Sequence, residues 1–251
     1  MTRKNWSREE TIIAFNAYCK IPFKNSSKTN PMVIKYAKII GRSPSALNMK
    51  IGNFGRLDPE LKKKGIIGLV NGSKLEEDIW NEFNGNWEKL VFESEKLILK
   101  FQKKETQDIN LEYIPQGKEK EIIIKTRINQ TFFRSTILSS YNSKCCITGL
   151  SIPDLLIASH IKPWSKDIKN RTNPHNGLCL NSIHDKAFDR GLITITPNFK
   201  VKISEFFDDF SQDKAVKDFF TKYNNQNIIR PEKFLPKKEF LDYHFQNIFI
   251  K

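Results

Sequence analysis

The sequence predicts an α+β protein in two parts, a helical first part and a second in which short strands and helices mix. Three observations carry this. Helix-capping patterns recur through the first hundred residues, each ahead of an apolar run at helical spacing. From residue 126 onward the apolar runs shorten and become strand-like. Between the two, 101–125 loses apolar periodicity, turns charged and contains Pro115 and Gly117, the composition of a connection. The expected division is 1–100, a linker at 101–125, and 126–251.

In the first part, "WSREETIIAFNAYC" opens with the capping box Ser7-x-x-Glu10, and Ile12, Phe15 and Cys19 follow at helical spacing. "NPMVIKYAKIIG" offers Asn30 as N-cap, Pro31 at the first helical position and Gly41 as the stop. "SPSALNMKIGNF" repeats the Ser-Pro start and sets Leu47, Ile51 and Phe54 on one face. A second capping box, Ser73-x-x-Glu76, starts "SKLEEDIWNEF". The short turn Gly41-Arg42-Ser43 joins the second and third helices in the manner of a helix-turn-helix. On that reading the third helix turns Ser45, Asn48 and Asn53 outward with Lys50 at its edge. Asn suits bidentate contact with adenine, and Lys50 or Arg42 would hold phosphate. An ordinary helical bundle with a polar outer face is the alternative.

The second part begins with a helix at "NQTFFRSTILSSYN". Strand-like pieces follow at "CCITG", "LLIASHI", "GLCL" and "LITITPNFKVKIS", the last a hairpin turning at Pro197-Asn198. Amphipathic helices near Asp213–Tyr223 and Lys237–Phe249 close it.

Composition bounds the function. Apolar residues make up 39% and include 19 Phe, enough to bury a core in each part. The formal charge is +14, with an isoelectric point near 9.5, which favours a polyanionic partner, nucleic acid foremost. Within Thr126–Arg171, seven Lys and Arg face only Asp154 and Asp167. No apolar run is long enough to span a bilayer, and "MTRKNWSREE" has no apolar signal core, so no membrane role and a cytoplasmic location are expected. Cys19, Cys145, Cys146 and Cys179 lack C-x-x-C spacing and are expected to be buried free thiols.

The chemistry concentrates in "IASHIKPW" and "NGLCLNSIHDKAFDRG", which hold two of the four histidines. Hydrolysis of a phosphodiester needs a base for water, a cation for the charged phosphorus centre, and a scaffold for both. A β-hairpin followed by a helix supplies them compactly. His160 ends one strand, Asn176 precedes the next, and His184 falls in the following helix. A neutral imidazole suits the base because its pKa lies near working pH.

The arrangement "CCITGLSIPDLLIASHIKPW…NPHNGLCLNSIHDKAFDRGLITI" closely resembles the HNH endonuclease family with the ββα-metal fold, in particular its bacterial restriction-type branch. The resemblance extends through "NQTFFRSTILSSYNSKCCITG" and "FLDYHFQNIF", and covers about half of the chain. The N-terminal "WSREETIIAFNAY…IIGRSPSALNMKIGNFGRLDPELKKKGIIGLVNGSK" also resembles the helical region preceding such domains. The resemblance implies that His160 is the general base, Asn176 fixes the hairpin and His184 binds a divalent metal, Mg²⁺ or Mn²⁺. Many family members carry Asp or His immediately before the base as a second ligand. This chain has Ser159, so the metal is expected either to rest on His184 with waters and substrate phosphate or to recruit Asp189 or Asp185. Asp189 as a brace of the helix end is the alternative. Arg134 and Lys162 are candidates for phosphate contact, whereas Trp164 and Phe188 read as packing residues.

Together these imply a metal-dependent endonuclease for double-stranded DNA in restriction or phage defence, acting as a homodimer. A catalytically silent DNA-binding protein, favoured by Ser159, and an RNA-directed nuclease, disfavoured by the helix-turn-helix-like segment, are the rival readings.

Overall fold

The structure is a computed structural model and describes residues 5–67, 72–105 and 118–251. It divides into two compact units, Met1–Ser139 and Ser140–Lys251. Of the linker expected at 101–125, residues 106–117 lie outside the described residues, and a helix runs up to them on either side.

The first unit is helical: α1 (Arg8–Lys20), α2 (Pro31–Ile39), α3 (Pro44–Gly55), α4 (Pro59–Lys63), α5 (Lys74–Phe83), α6 (Trp87–Glu105) and α7 (Lys118–Ser140), whose last residue belongs to the second unit. The helices start where the caps predict. Ser7 and Ser73 each form a complete capping box, Asn30 accepts from the Met32 and Val33 amides, and Ser43 accepts from Ala46. Gly41, at φ +62, takes the left-handed turn that ends α2.

Helix α1 is buried continuously from Glu10 to Cys19 because α2, α3, α5 and α6 surround it. Its Phe15 stacks on Phe54 at 4.8 Å and meets Trp80 at 5.2 Å. A helix enclosed on all sides must satisfy its polar groups internally. Accordingly, Tyr18 donates to Asp58, Asn16 bonds Ser94 and accepts from Tyr36, and Glu10 pairs with Arg42 at 2.7 Å.

Asn53, expected to face outward on α3, and Lys50, expected at its edge, are both buried instead. Lys50 is 5% exposed and pairs with Glu76 at 2.5 Å, and buried Asn53 donates to the same carboxylate. Arg42 and Lys50 also lie over the Trp6 ring, at 4.9 and 4.8 Å. The hydrophobic face of α3 is wider than its apolar letters suggest, because the Glu76 carboxylate draws Lys50 and Asn53 inward. Ser45 is exposed as expected, while Asn48 is half-buried.

The second unit is built on two hairpins. β1 (Leu156–His160) pairs antiparallel with β2 (Gly177–Asn181), with Leu156 opposite Asn181 and His160 opposite Gly177. Helix α8 (Ser182–Asp189) follows β2 without a loop and packs on both strands. β3 (Ile193–Ile195) and β4 (Val201–Ile203) form the second hairpin, turning between Thr196 and Lys200. α9 (Lys214–Phe219) and α10 (Lys238–Asn247) complete the unit.

The strand expected at "CCITG" is instead a turn, because Cys145 and Gly149 bond across it through Gly149 N to Cys145 O. Cys146 still reaches the sheet, donating to Cys179 O at 2.7 Å. All four cysteines are buried, and none forms a disulfide. Gly191 ends α8 at φ +72, and a Cβ there would meet Ile248 O at 2.1 Å, so only glycine fits. His244 on α10 braces the same corner. Its ring stacks on Phe188 with centroids 3.7 Å apart, Nε2 donates to Phe188 O, and Nδ1 accepts from the Thr194 hydroxyl at 2.8 Å.

Two predictions follow from these buried polar groups. Glu76→Ala strands Lys50 as an unpaired buried charge and should destabilise the first unit by about 3–5 kcal/mol in urea unfolding; a loss under about 1 kcal/mol would show that the pair is not buried as described. Burial lowers the His244 pKa to about 4, and its bond to Phe188 O only partly opposes this. Its depressed value makes the unfolded chain take up the proton first. Stability is therefore complete above about pH 6.5 and falls by about 3 kcal/mol as the pH drops to 4. An NMR titration of the His244 ring should give a midpoint near 4, and an ordinary midpoint of about 6.5 contradicts this account.

Candidate active site

In the β1–β2–α8 unit His160 closes β1 opposite Gly177, Lys162 and Asn176 stand in the loop 161–176 between the strands, and His184 and Asp189 lie in the first turn and at the last residue of α8. A loop this long folds only if its backbone is tied down. Asn176, 1% exposed, does this with its carboxamide: Oδ1 accepts from Lys162 N at 2.8 Å, and Nδ2 donates to Lys162 O at 3.0 Å. Its own carbonyl accepts from Ile161 N at 3.0 Å, extending the hairpin by one further bond. Further along, Asn173 caps the short turn at Pro174 and binds Asn170, which in turn binds Asp167. Lys162 Nζ pairs with Asp167 at 3.1 Å and lies 4.9 Å from the Tyr243 ring centre.

The tied loop carries Arg171 back to His160. The His160 Nε2 lies 2.9 Å from Arg171 O. A carbonyl only accepts, so Nε2 carries the proton and the basic lone pair is on Nδ1. The Trp164 ring meets His160 edge-on at 5.4 Å and is covered on its face by the Arg171 guanidinium at 4.9 Å. Arg171 Nε also donates to Trp164 O. Burial lowers the His160 pKa below 6.5; the Arg171 carbonyl opposes this and the Arg171 charge adds to it. The imidazole is therefore neutral near pH 7 and able to accept a proton.

His184 is held differently. It is 2% exposed and sits in the first turn of α8, where its amide donates to the N-cap Asn181. Asn181 Nδ2 donates to His184 Nδ1 at 3.0 Å, and His184 Nε2 donates to Phe219 O at 2.6 Å. The edges of Phe220 and Tyr223 close around the ring. Both nitrogens are engaged, so coordination of a metal requires at least one of these bonds to break.

The residue before His160 faces the other side of β1. Ser159 is 3% exposed, and its hydroxyl makes no hydrogen bond of full geometry. It lies close enough to the Asp185 carboxyl to favour its charged form, although burial and the neighbouring Asp189 together raise the Asp185 pKa. Burial also raises Asp189. Among the described residues no group of three or more His, Cys, Asp or Glu converges as a ready metal centre. The oxygen donors of Asp185, Asp189 and Ser159 nevertheless suit a hard divalent cation, which keeps several waters and takes few protein ligands.

The remaining expected residues lie in the first unit. Arg42 and Lys50 are committed to Glu10 and Glu76, Ser45 is exposed, and Asn48 turns a buried Oδ1 inward. Arg134 is exposed on α7. The sequence reading missed Arg171, Asn181 and the Ser159–Asp185 approach. Only Asn181 had a signal, as an Asn directly ahead of a helix; Arg171 acts through its main chain, which no side-chain motif records.

A β-hairpin and helix with a histidine closing the first strand and an asparagine tying the loop define an HNH-type nuclease domain. Residues 145–196 match the family model described as HNH endonuclease, a span from the Cys145 turn through β3. This stretch of the chain is an HNH endonuclease domain, which indicates a nuclease-type function and binding of nucleic acid. No curated protein matches the chain. Among the described residues, no helix is long and apolar enough to cross a membrane.

If the Asn176 amide ties the loop, Asn176→Ala should release the Lys162 amide to fast hydrogen exchange and cost the second unit about 1–3 kcal/mol. Unchanged protection at Lys162 contradicts the clamp.

Proposed function

We propose that the protein is a divalent-metal-dependent endonuclease that hydrolyses phosphodiester bonds of double-stranded DNA, in a restriction or phage-defence role in the cytoplasm. The observation that carries the chemical part is the bond from His160 Nε2 to Arg171 O. It fixes the tautomer that presents Nδ1 as the base, and a lowered pKa keeps that nitrogen unprotonated at working pH. His160 Nδ1 takes a proton from the attacking water, and Asn176 keeps the loop closed so that the ring stays oriented. Mg²⁺ or Mn²⁺, when bound, supplies positive charge to the phosphate oxygens. Of the ligands expected for it, Asp189 offers an exposed carboxylate, while His184 would first have to give up a hydrogen bond.

The DNA part of the proposal draws on the charge of +14 and on the first unit. There Ser45 and Asn48 remain the candidates for contact with bases. Arg42 and Lys50 support the helix through ion pairs, so phosphate contact falls to exposed cations such as Lys35 and Lys38 on α2. Arg134 and Lys162 stand as further phosphate contacts. A two-fold dimer on DNA is part of the proposal because one such unit attacks one strand at a time, and a palindrome is met most simply by two-fold symmetry.

The test is cleavage by His160→Ala. The variant should keep its fold and its DNA affinity and lose about 10²–10⁴-fold in rate. Cleavage at the parental rate excludes His160 as the base. A parental protein that binds DNA and cuts neither DNA nor RNA, with any divalent ion, supports the catalytically silent reading that Ser159 favours.

A further inference from the structure

The segment 205–222 of the second unit differs from the rest of the chain in both exposure and charge. It runs through a 3₁₀ helix at Glu205–Phe210, then α9, then a short turn at Thr221–Tyr223. Phe206, Phe210 and Phe219 are exposed at 50%, 46% and 48%. The Phe206 and Phe210 rings lie 5.5 Å apart and make one aromatic ridge. Phe207 between them is buried and stacks on Phe220 at 4.6 Å, joining the 3₁₀ helix to the end of α9. The exposed rings thus stand on a packed support whose interior places are already filled. A single apolar side chain at a surface needs no explanation, but adjoining aromatic rings there mark a surface for another protein.

Charge narrows the choice of partner. Glu205, Asp208, Asp209 and Asp213 are all exposed, with no Lys or Arg among them, in a chain whose formal charge is +14. Over 214–222 the balance reverses, and exposed Lys214, Lys217 and Lys222 face only Asp218. Among the described residues, none of these side chains forms an ion pair. The acidic half repels a phosphate backbone, so nucleic acid does not fit this segment. An acidic half followed by a basic half, around an aromatic ridge, is complementary to itself in reverse order. That is what an isologous two-fold contact requires, since residue i of one copy meets residue j of the other and j meets i.

We propose that two copies of this chain pair through 205–222, the acidic 205–213 of one against the basic 214–222 of the other, with the Phe206–Phe210 ridge between them. This pairing rests on the two-fold dimer of the nuclease reading and assigns its interface. The ridge supplies the apolar burial, and the two charge junctions set the register and exclude a parallel alignment, which would bring like charges together. The segment is also tied to the candidate site. Phe219 O accepts from His184 Nε2, and the edges of Phe220 and Tyr223 close on the His184 ring. Two copies joined here hold their His184 residues in a fixed relation about one axis.

The experiment is sedimentation velocity of the full-length protein without DNA across a dilution series. The parent should dimerise, and Phe206→Ser combined with Phe210→Ser should raise the dimer dissociation constant by about tenfold or more. Two charge variants give the sharper test, one carrying Asp208→Lys and Asp209→Lys, the other Lys214→Glu and Lys217→Glu. Each alone should dimerise more weakly than the parent, by about tenfold or more. An equimolar mixture of the two should form a heterodimer tighter than either homodimer, because opposite charges then meet at the interface, and added salt should weaken it. A parent that stays monomeric at every concentration overturns the proposal. So does a dimer that the variants retain at parental strength, or a mixture that associates no better than its components. If the phenylalanine variant does not fold, the charge variants decide the matter alone. Failure of the underlying reading is seen separately, as a parent that binds DNA only as a monomer, or as cleavage by His160→Ala at the parental rate.

Discussion

The two bonds between the Asn176 carboxamide and the main chain of Lys162 are the constraint on which the candidate site depends. They close the loop 161–176 over the end of β1, and the closed loop delivers the Arg171 carbonyl to the His160 ring. That carbonyl decides which imidazole nitrogen is basic. Trp164, packed between His160 and the Arg171 guanidinium, holds the same geometry from the side. A buried side-chain amide is costly unless both its donor and its acceptor are used, and here both are. The clamp thus links the folding of the loop to the setting of the ring: the residue that ties the loop also fixes the side on which the Arg171 carbonyl meets His160.

Histidines are held in two different ways in the second unit. His160 is half-buried at a strand end with one nitrogen set as donor. His184 and His244 are enclosed, and each uses both nitrogens in hydrogen bonds that tie a helix to its neighbours. Residue type alone does not show how each ring is held; its hydrogen-bond partners do. The same holds for the cations of the first unit, where Arg42 and Lys50 satisfy buried carboxylates around α1 and α3.

Much of this was legible in the sequence. Capping boxes at Ser7 and Ser73, the Asn30 and Ser43 caps and the Gly41 stop are local signals, and the helices begin and end where they stand. The hairpin and helix around His160, Asn176 and His184 were equally plain, since their order and spacing leave few ways to fold. The rest depended on contacts distant in sequence. Lys50 and Asn53 turn inward because Glu76, on another helix, needs partners. The Cys145–Gly149 stretch has strand composition and becomes a turn because its bonds close on itself. Neither the Arg171 carbonyl nor the Phe219 carbonyl that binds His184 leaves any trace in a side-chain pattern.

The candidate chemistry depends on the protonation state of one ring, and long-range ¹H–¹⁵N correlation spectra of the histidine side chains report it directly. The prediction is that His160 is neutral at pH 7, protonated on Nε2, with a pKa below the ordinary value of about 6.5. A His160 that carries its proton on Nδ1, or that is charged at pH 7, would contradict the claim that the Arg171 carbonyl prepares Nδ1 as the base.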